Sequence, residues 1–254
     1  MFPELGSIGP FTFYSFGLMS AVAIVLAAVF IAVDMRQRGL EPGMAIEIIF
    51  AAAIGGFLGA HIYYVVEHWG EPGEGLFEGA GLVWYGGVAG GVIAVILVAL
   101  WRRLPLGLVA NIAAAPLALG YAIGRIGCQL AGDGDYGDVT TLPWGMAYPE
   151  GTVPTTQIVH PTPVYETLAS LVIFWVLWRM RGRLTAPWAL FGLYLVLAGV
   201  ERFAVEFVRA TPVVVAGLTT AQLISLGIAV IGAVLVWRGW NRRNPAWAGD
   251  AATS

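Results

Sequence analysis

Residues 5–33 of this chain include no charged side chain, and neither do residues 79–101, 104–124 and 210–237. A helix that crosses a bilayer needs about 20 mostly apolar residues, so each run is long enough for one. Three further runs are less pure. Residues 44–66 contain Glu47 and His61, residues 163–178 begin with Glu166 close to their start, and residues 184–207 carry Glu201, Arg202 and Glu206 near their end. Together they predict seven spans. At about 20 residues each these use about 140, leaving short loops and one long segment, 125–162. Composition agrees. Of the 254 residues, 58% are hydrophobic and 11% charged, against about a quarter charged in an ordinary soluble domain. Mean hydropathy is +0.78. So little charge cannot coat a soluble surface, which excludes a soluble enzyme, a disordered chain and a nucleic-acid-binding module.

The basic residues test the count. All 13 are arginine, and the net charge is -3. Arg36 and Arg38 follow the first span, Arg102 and Arg103 the third, Arg179, Arg181 and Arg183 the fifth, and Arg238, Arg242 and Arg243 the seventh. With seven spans these all fall on one side, and the opposite loops 1–15 and 67–78 hold none. Six or eight spans would break the pattern. Since cytoplasmic loops are enriched in Arg and Lys, the N-terminus is expected outside and the C-terminus in the cytoplasm, the protein being multi-pass. The first apolar run lacks a basic leader, which argues against a cleaved signal peptide. Arg125, Arg202 and Arg209 depart from the rule, at the outer ends of spans four and six. Ionisable groups at membrane depth are costly and mark function, although an arginine can also snorkel to the headgroups.

No internal repeat is visible, which disfavours an inverted-repeat transporter. The segment 125–162, rich in Gly, Pro, Asp and Thr, reads as turns and loops forming a polar cap on the outer face. Residues 239–254 read as a frayed cytoplasmic tail. The expected fold is therefore all-α: a single polytopic membrane domain, residues 1–238, of seven transmembrane helices with a small extracytoplasmic cap at 125–162. The pairs Gly55/Gly59, Gly86/Gly90 and Gly87/Gly91 are four apart, the spacing that lets helices approach closely in lipid.

Residues 132–137, GDGDYG, match a GxGxxG pattern without the strand before it that a dinucleotide site requires. Asp133 and Asp135 resemble the start of a calcium loop, but position six is Asp138 instead of Gly and position twelve is Trp144 instead of Glu. A glycine-rich turn with exposed N–H groups, able to meet an anion, is what remains. Cys128 is the single cysteine, which excludes a disulfide framework and a multi-cysteine metal site. It reads as a small packing residue. No metal or cofactor is expected. The polar set of the outer half is more telling: His61, Tyr85, Arg125, Asp133, His160, Tyr165, Glu166, Glu201, Arg202, Glu206 and Arg209. Arg202 and Glu206 stand at i and i+4 and share a helix face. That pair is either a structural ion pair or the device by which Glu206 aims Arg202 at a phosphate, whose oxygens the planar guanidinium binds in pairs.

These residues carry a resemblance. Gly124, Arg125 and Gly127, followed by Gly132, Asp133 and Gly137, resemble the G-R-x-G-N-F-x-N-G-E-x-x-G signature of the prolipoprotein diacylglyceryl transferases. In order along the chain, SIGP at 7–10, FGLM at 16–19, FLG at 57–59 and YGG at 85–87 resemble that family's entry and first three spans. HPTPVYE at 160–166 resembles its H-P-[ST]-x-x-Y-E. Arg202, Glu206 and Arg209 resemble its R-x-x-x-E-x-x-R, and Gln222 with Ser225 its Q-x-x-S. The match covers nearly the whole chain.

The resemblance implies a bacterial inner-membrane enzyme that moves the diacylglyceryl group of phosphatidylglycerol onto the lipobox cysteine thiol of prolipoprotein signal peptides, the first step of lipoprotein maturation. A thioether forms and glycerol 1-phosphate leaves. The thiol must lose a proton, and the leaving phosphate calls for fixed positive charge. The resemblance therefore implies catalytic roles for Arg125, Arg202, Tyr85 and Glu206. It implies substrate binding by Arg125, Arg202, Asp133, Gly137, His160, Tyr165, Glu166 and Arg209. The partners would be phosphatidylglycerol, prolipoproteins and membrane lipids, with no nucleic acid.

Departures from the pattern are clear. Cys128 and Ala131 stand where the signature has Asn, one extra residue lies between Asp133 and Gly137, Phe16 and Ala198 replace tyrosines, and Tyr85 replaces a histidine. A phenol, with an ordinary pKa of about 10, is a poor base at neutral pH. Tyr85 is therefore expected to orient substrate. The proton would go to His61, to His160 or to no side chain, the arginine field then stabilising thiolate. The alternatives are a transferase with another acceptor and a lipid-binding or transport protein without chemistry. A transporter should show a polar path into the inner half, where Glu47 alone offers one.

Overall fold

The computed structural model describes residues 1–9, 11–69, 81, 83–209 and 211–241. Pro10, most of the outer loop 67–78, the start of the third apolar run, Ala210 and the tail beyond 241 with Arg242 and Arg243 lie outside the described residues. Seven α-helices occur among the described residues: α1 Ser15–Gln37, α2 Met44–Glu67, α3 Trp84–Trp101, α4 Leu106–Ala131, α5 Thr162–Met180, α6 Ala189–Val205 and α7 Thr220–Asn241. Each falls in one of the seven apolar runs. Four of them, α1, α2, α4 and α7, are long and apolar enough to cross a membrane by length and composition. At 1.5 Å per residue the 17 residues of α6 reach about 26 Å, just short of the roughly 30 Å hydrocarbon core.

Three two-stranded antiparallel hairpins accompany the helices: β1 Glu4–Ile8 with β2 Phe11–Tyr14, β3 Met146–Tyr148 with β4 Thr155–Val159, and β5 Val213–Val215 with β6 Leu218–Thr219. Two of them lie at the starts of the first and last apolar runs, the first within the stretch 1–15 expected as a loop. In the first, Gly9 has φ +62, a left-handed conformation that turns the chain before the aromatic stretch of β2. In the last, three consecutive valines favour a strand, and Ala216 and Gly217 turn at φ 50 and 78. The helix α4 also runs further than expected. It continues through Arg125 and Cys128 to Ala131 and stops at Gly132, whose φ is +60. Arg125 is thus a helical residue, and the segment expected as turns and loops starts at 132.

The chain divides into two compact units, Ala28–Val109 and Met1–Ala27 with Ala110–Ser254. Within the first, α2 and α3 cross on glycine. A Cβ on Gly90 would stand 2.2 Å from the Gly55 carbonyl oxygen, and one on Gly59 would stand 2.4 Å from that of Gly86. No side chain fits there, as the four-residue spacing predicts. Gly87 is looser, with the Gly56 oxygen at 3.4 Å. Arg102 donates from Nε to Glu47 at 2.7 Å and pairs with it through Nη2 as well. Glu47 is therefore a helix-to-helix tie and offers no open polar path.

Within the second unit, Ala114, Ala115 and Ala118 of α4 pack on Ile173 and Leu177 of α5 and Leu190 of α6. Small side chains on α4 let its neighbours close around it. The start of α6 is fixed by one buried side chain. Asn111 is 1% exposed. Its Oδ1 accepts from the N–H groups of Leu190 and Phe191 at 3.1 Å, and its Nδ2 donates to the Ala186 carbonyl at 2.8 Å. Those amides have no partner inside the helix, so Asn111 acts as a cap supplied from α4. The helices α6 and α7 meet on Gly192 and Gly232, where a Cβ on Gly232 would lie 2.5 Å from the Gly192 oxygen.

Candidate active site

The second unit gathers four charged side chains from four places in the sequence. Arg125 sits near the end of α4, Asp135 on the loop after it, Glu166 in the first turns of α5, and Arg209 just past a 3-10 turn, Glu206–Val208. Arg125 Nη1 pairs with one oxygen of Asp135, while Arg209 Nη2 meets the other at 2.7 Å. Arg125 Nε lies 3.1 Å from Glu166 Oε2, and Arg209 Nη1 lies 3.8 Å from the same oxygen. Glu166 is fully buried. Two guanidinium groups thus alternate with two carboxylates, each reducing the desolvation cost of the others.

The loop is shaped to deliver Asp135. A Cβ on Gly137 would lie 2.0 Å from the Val208 carbonyl oxygen, so only glycine lets the loop press against the 3-10 turn. The Asp138 N–H then donates to that carbonyl at 2.9 Å, and the Gly137 N–H to the His160 carbonyl at 2.8 Å. Asp133 accepts from the Asp135 N–H at 3.3 Å, an Asx turn that bends the chain. Thr162 Oγ1 donates to the Asp135 carbonyl. Burial alone would raise the Asp135 carboxyl, but Arg125 and Arg209 outweigh it and hold it below the usual carboxylate range.

Asp135 is the candidate site residue that sequence reasoning passed over in favour of Asp133. Among the described residues Asp133 pairs with no arginine. The available signal was the extra residue between Asp133 and Gly137, which shifts the second aspartate to the place from which a side chain reaches both guanidiniums. Tyr121 was also missed. It lies one helical turn before Arg125. Its hydroxyl donates to Glu166 Oε1 at 2.8 Å and accepts from Arg125 Nη2 at 3.0 Å, and the guanidinium carbon lies 4.9 Å from its ring centroid.

Arg202 and Glu206 form the expected pair, with Nη1 2.7 Å from Oε2. Glu206 is 3% exposed and its other oxygen accepts from Thr219 Oγ1 at 2.9 Å. Thr219 in turn meets Gln222 through both N–H groups, which gives the Gln222 of the sequence motif a structural role. Arg202 differs from its two counterparts. Its side chain is 32% exposed against 15% for Arg125 and 16% for Arg209, and among the described residues Glu206 is its one charged partner. Its neighbour Glu201 accepts from Ser170 on α5 at 2.7 and 2.9 Å.

His160, just before α5, and Tyr165, in its first turn, come together. The Tyr165 hydroxyl accepts from Trp144 Nε1 at 2.8 Å and stands 3.3 Å from His160 Nδ1. Tyr85 and His61 belong to the other unit. Tyr85 is in the first turn of α3 with its ring 64% exposed, and His61 Nδ1 lies 3.3 Å from the Gly81 carbonyl. Cys128 is buried, with Sγ 3.7 Å from Arg125 Nη1. Cys128, Asp133 and Asp135 can present ligand atoms within 4.8 Å of one another. Both oxygens of Asp135 already face guanidiniums, however, so this cluster is a poor host for a cation.

Comparison with known proteins identifies the pattern. A family model described as prolipoprotein diacylglyceryl transferase matches residues 3–238. The chain is similar to proteins named phosphatidylglycerol–prolipoprotein diacylglyceryl transferase from several bacteria. The one from Chromohalobacter salexigens is 32% identical, over 96% of this chain and 93% of that protein. The one from Clostridium tetani is 31% identical, over 91% and 95%, and that from Leptospira interrogans 28%, over 93% and 92%.

Proposed function

The chain belongs to the prolipoprotein diacylglyceryl transferase family, and from that premise we propose how its side chains divide the work. It is a transferase and an integral membrane protein. Its reaction is transfer of a diacylglyceryl group from phosphatidylglycerol to a prolipoprotein. The acceptor is the thiol of the lipobox cysteine in the signal peptide. The C–S bond forms as the C–O bond to phosphate breaks, the thiol proton is released, and glycerol 1-phosphate departs.

The observation that carries the reading is the contrast between the arginines. Arg125 and Arg209 are braced by Asp135 and Glu166, whereas Arg202 is held at one nitrogen by Glu206 and keeps its remaining donors for a ligand. Arg202 is the primary phosphate ligand, aimed by Glu206. Arg125 supplies fixed charge close by, stabilising the leaving phosphate as charge develops on it. Arg209, Glu166, Asp133 and Gly137 shape this environment, and His160 and Tyr165 line the cap side of the acceptor path. Tyr85 orients substrate and takes no proton. All seven helices span the inner membrane, with the N-terminus outside and the C-terminus in the cytoplasm, which sets the arginine set at outer-leaflet depth where both substrates reside. The test is incubation of the purified protein with phosphatidylglycerol vesicles and a lipobox peptide, followed by mass spectrometry. A peptide heavier by one diacylglyceryl group, linked through sulfur, is expected. An unmodified peptide would overturn the reading.

A further inference from the structure

We infer that Tyr121 is a positioning residue for this reaction, acting through Arg125, and the inference rests on the transfer reading above. Neither the motifs of the sequence nor the family match singles it out. Its place in the structure does. The side chains of Tyr121, Arg125 and Glu166 close a ring: Arg125 Nη2 donates to the phenol oxygen at 3.0 Å, the phenol donates to Glu166 Oε1 at 2.8 Å, and Glu166 Oε2 faces Arg125 Nε at 3.1 Å. Two nitrogens of one guanidinium are thereby tied to two oxygens of one carboxylate, one directly and one through the phenol. The guanidinium carbon also lies over the ring, 4.9 Å from its centroid.

Each contact removes a different freedom. A lone arginine pivots about its last bonds, and its planar fork is useful only when the plane is fixed. The Nε contact with Glu166 fixes one nitrogen, the phenol fixes Nη2, and the ring lies close enough for a cation–π attraction. Glu166 is fully buried, and its Oε1 has no hydrogen-bond partner among the described residues other than Tyr121. Without the hydroxyl a buried carboxylate oxygen goes unsatisfied, and Glu166 and Arg125 readjust together. Tyr121 is itself 38% exposed, so the ring borders the exterior of the site and is not a core element alone.

Fixed orientation of charge matters more in the transition state than in the bound ground state. Loss of the hydroxyl is therefore a loss in kcat. The variant that isolates it is Tyr121→Phe, which keeps the ring under the guanidinium. Tyr121→Leu removes both. Three readings are taken on purified protein: transfer kinetics with phosphatidylglycerol vesicles and lipobox peptide, the thermal midpoint, and the rate at which phenylglyoxal modifies Arg125, followed by peptide mapping. For Tyr121→Phe the expected result is kcat lowered about tenfold, KM for the lipid within about twofold, and Arg125 modified severalfold faster. Tyr121→Leu should be slower still. Phe at this position with unchanged kcat and unchanged Arg125 reactivity would overturn the inference, and so would a loss confined to KM. If the unsubstituted protein transfers nothing, the reaction reading falls, while the phenylglyoxal rates still decide whether Tyr121 holds Arg125.

Discussion

Arg125 and Arg202 carry the same charge among different partners, so their removal should read differently. Arg125→Ala and Arg202→Ala are each expected to lower turnover by about 10²–10³, the usual effect of deleting one group that stabilises developing charge. Arg125→Ala should in addition lower the thermal midpoint, although Glu166 keeps Arg209 and Tyr121, and Arg202→Ala should lower it more, because buried Glu206 loses its ion-pair partner. Near-normal turnover in either variant would remove that arginine from the phosphate. Asp135→Asn should cost more activity and stability than Asp133→Asn. Its pH dependence has a definite sign. A carboxyl held low in the folded state contributes stability above its unfolded value, about 3.9 for aspartate, and loses it as pH falls through the lower folded value. The midpoint difference between the parent protein and Asp135→Asn should therefore be constant from about pH 5 to 8 and shrink below about 4. At this scale the Arg202–Glu206 pair was legible because helical spacing fixes who meets whom. Asp135 was not, because partners 10 and 74 residues away are brought to it by a glycine contact that leaves only a one-residue length change in the sequence. Tyr85→Phe should retain activity with an unshifted pH profile. A dead Tyr85→Phe beside active His61→Gln and His160→Gln would make Tyr85 the acid–base group instead.

The helices themselves were readable from apolar runs, and the glycine pairs from their spacing. Two of the three hairpins were hidden inside apolar sequence, since composition does not separate an apolar strand from an apolar helix. Only the positive-φ turns at Gly9 and at Ala216–Gly217 decide it. Two variants test how elements are held. Gly90→Val should prevent accumulation of folded protein, its side chain colliding with the Gly55 carbonyl, while Gly87→Ala should be tolerated because its nearest neighbour is at ordinary contact distance. Membrane-fraction yield distinguishes them. Asn111→Leu strips the cap from α6 and leaves the Ala186 carbonyl and two amides unmatched, a cost of about 1–3 kcal/mol. It should appear as a lower thermal midpoint with turnover largely retained at low temperature.

For the molecule as a whole, the arginine distribution is the feature from which an orientation is proposed. Single cysteines introduced at Asp138 in a Cys128→Ser background should be labelled from outside, and those at Arg103 and Arg181 from the cytoplasm. Labelling of all three from one side would defeat the seven-span arrangement. The orientation expected from the sequence rests on charge placement alone, and the labelling decides it. The division into two compact units was not, because it cuts within α1 and α4 where the sequence shows no break in composition.

The alternation of Arg125, Asp135, Arg209 and Glu166, taken with the Arg202–Glu206 pair, has formal charges that sum to zero. A phosphodiester headgroup enters with one negative charge, and the phosphomonoester that leaves approaches two near neutral pH. A set of side chains with no surplus of positive charge has no excess charge with which to retain the extra one. On the proposed assignment, the arginines stabilise the charge as it develops and the neighbouring carboxylates oppose retention of the doubly charged by-product. Glycerol 1-phosphate should be a weak inhibitor, and turnover should proceed against an accumulating product pool.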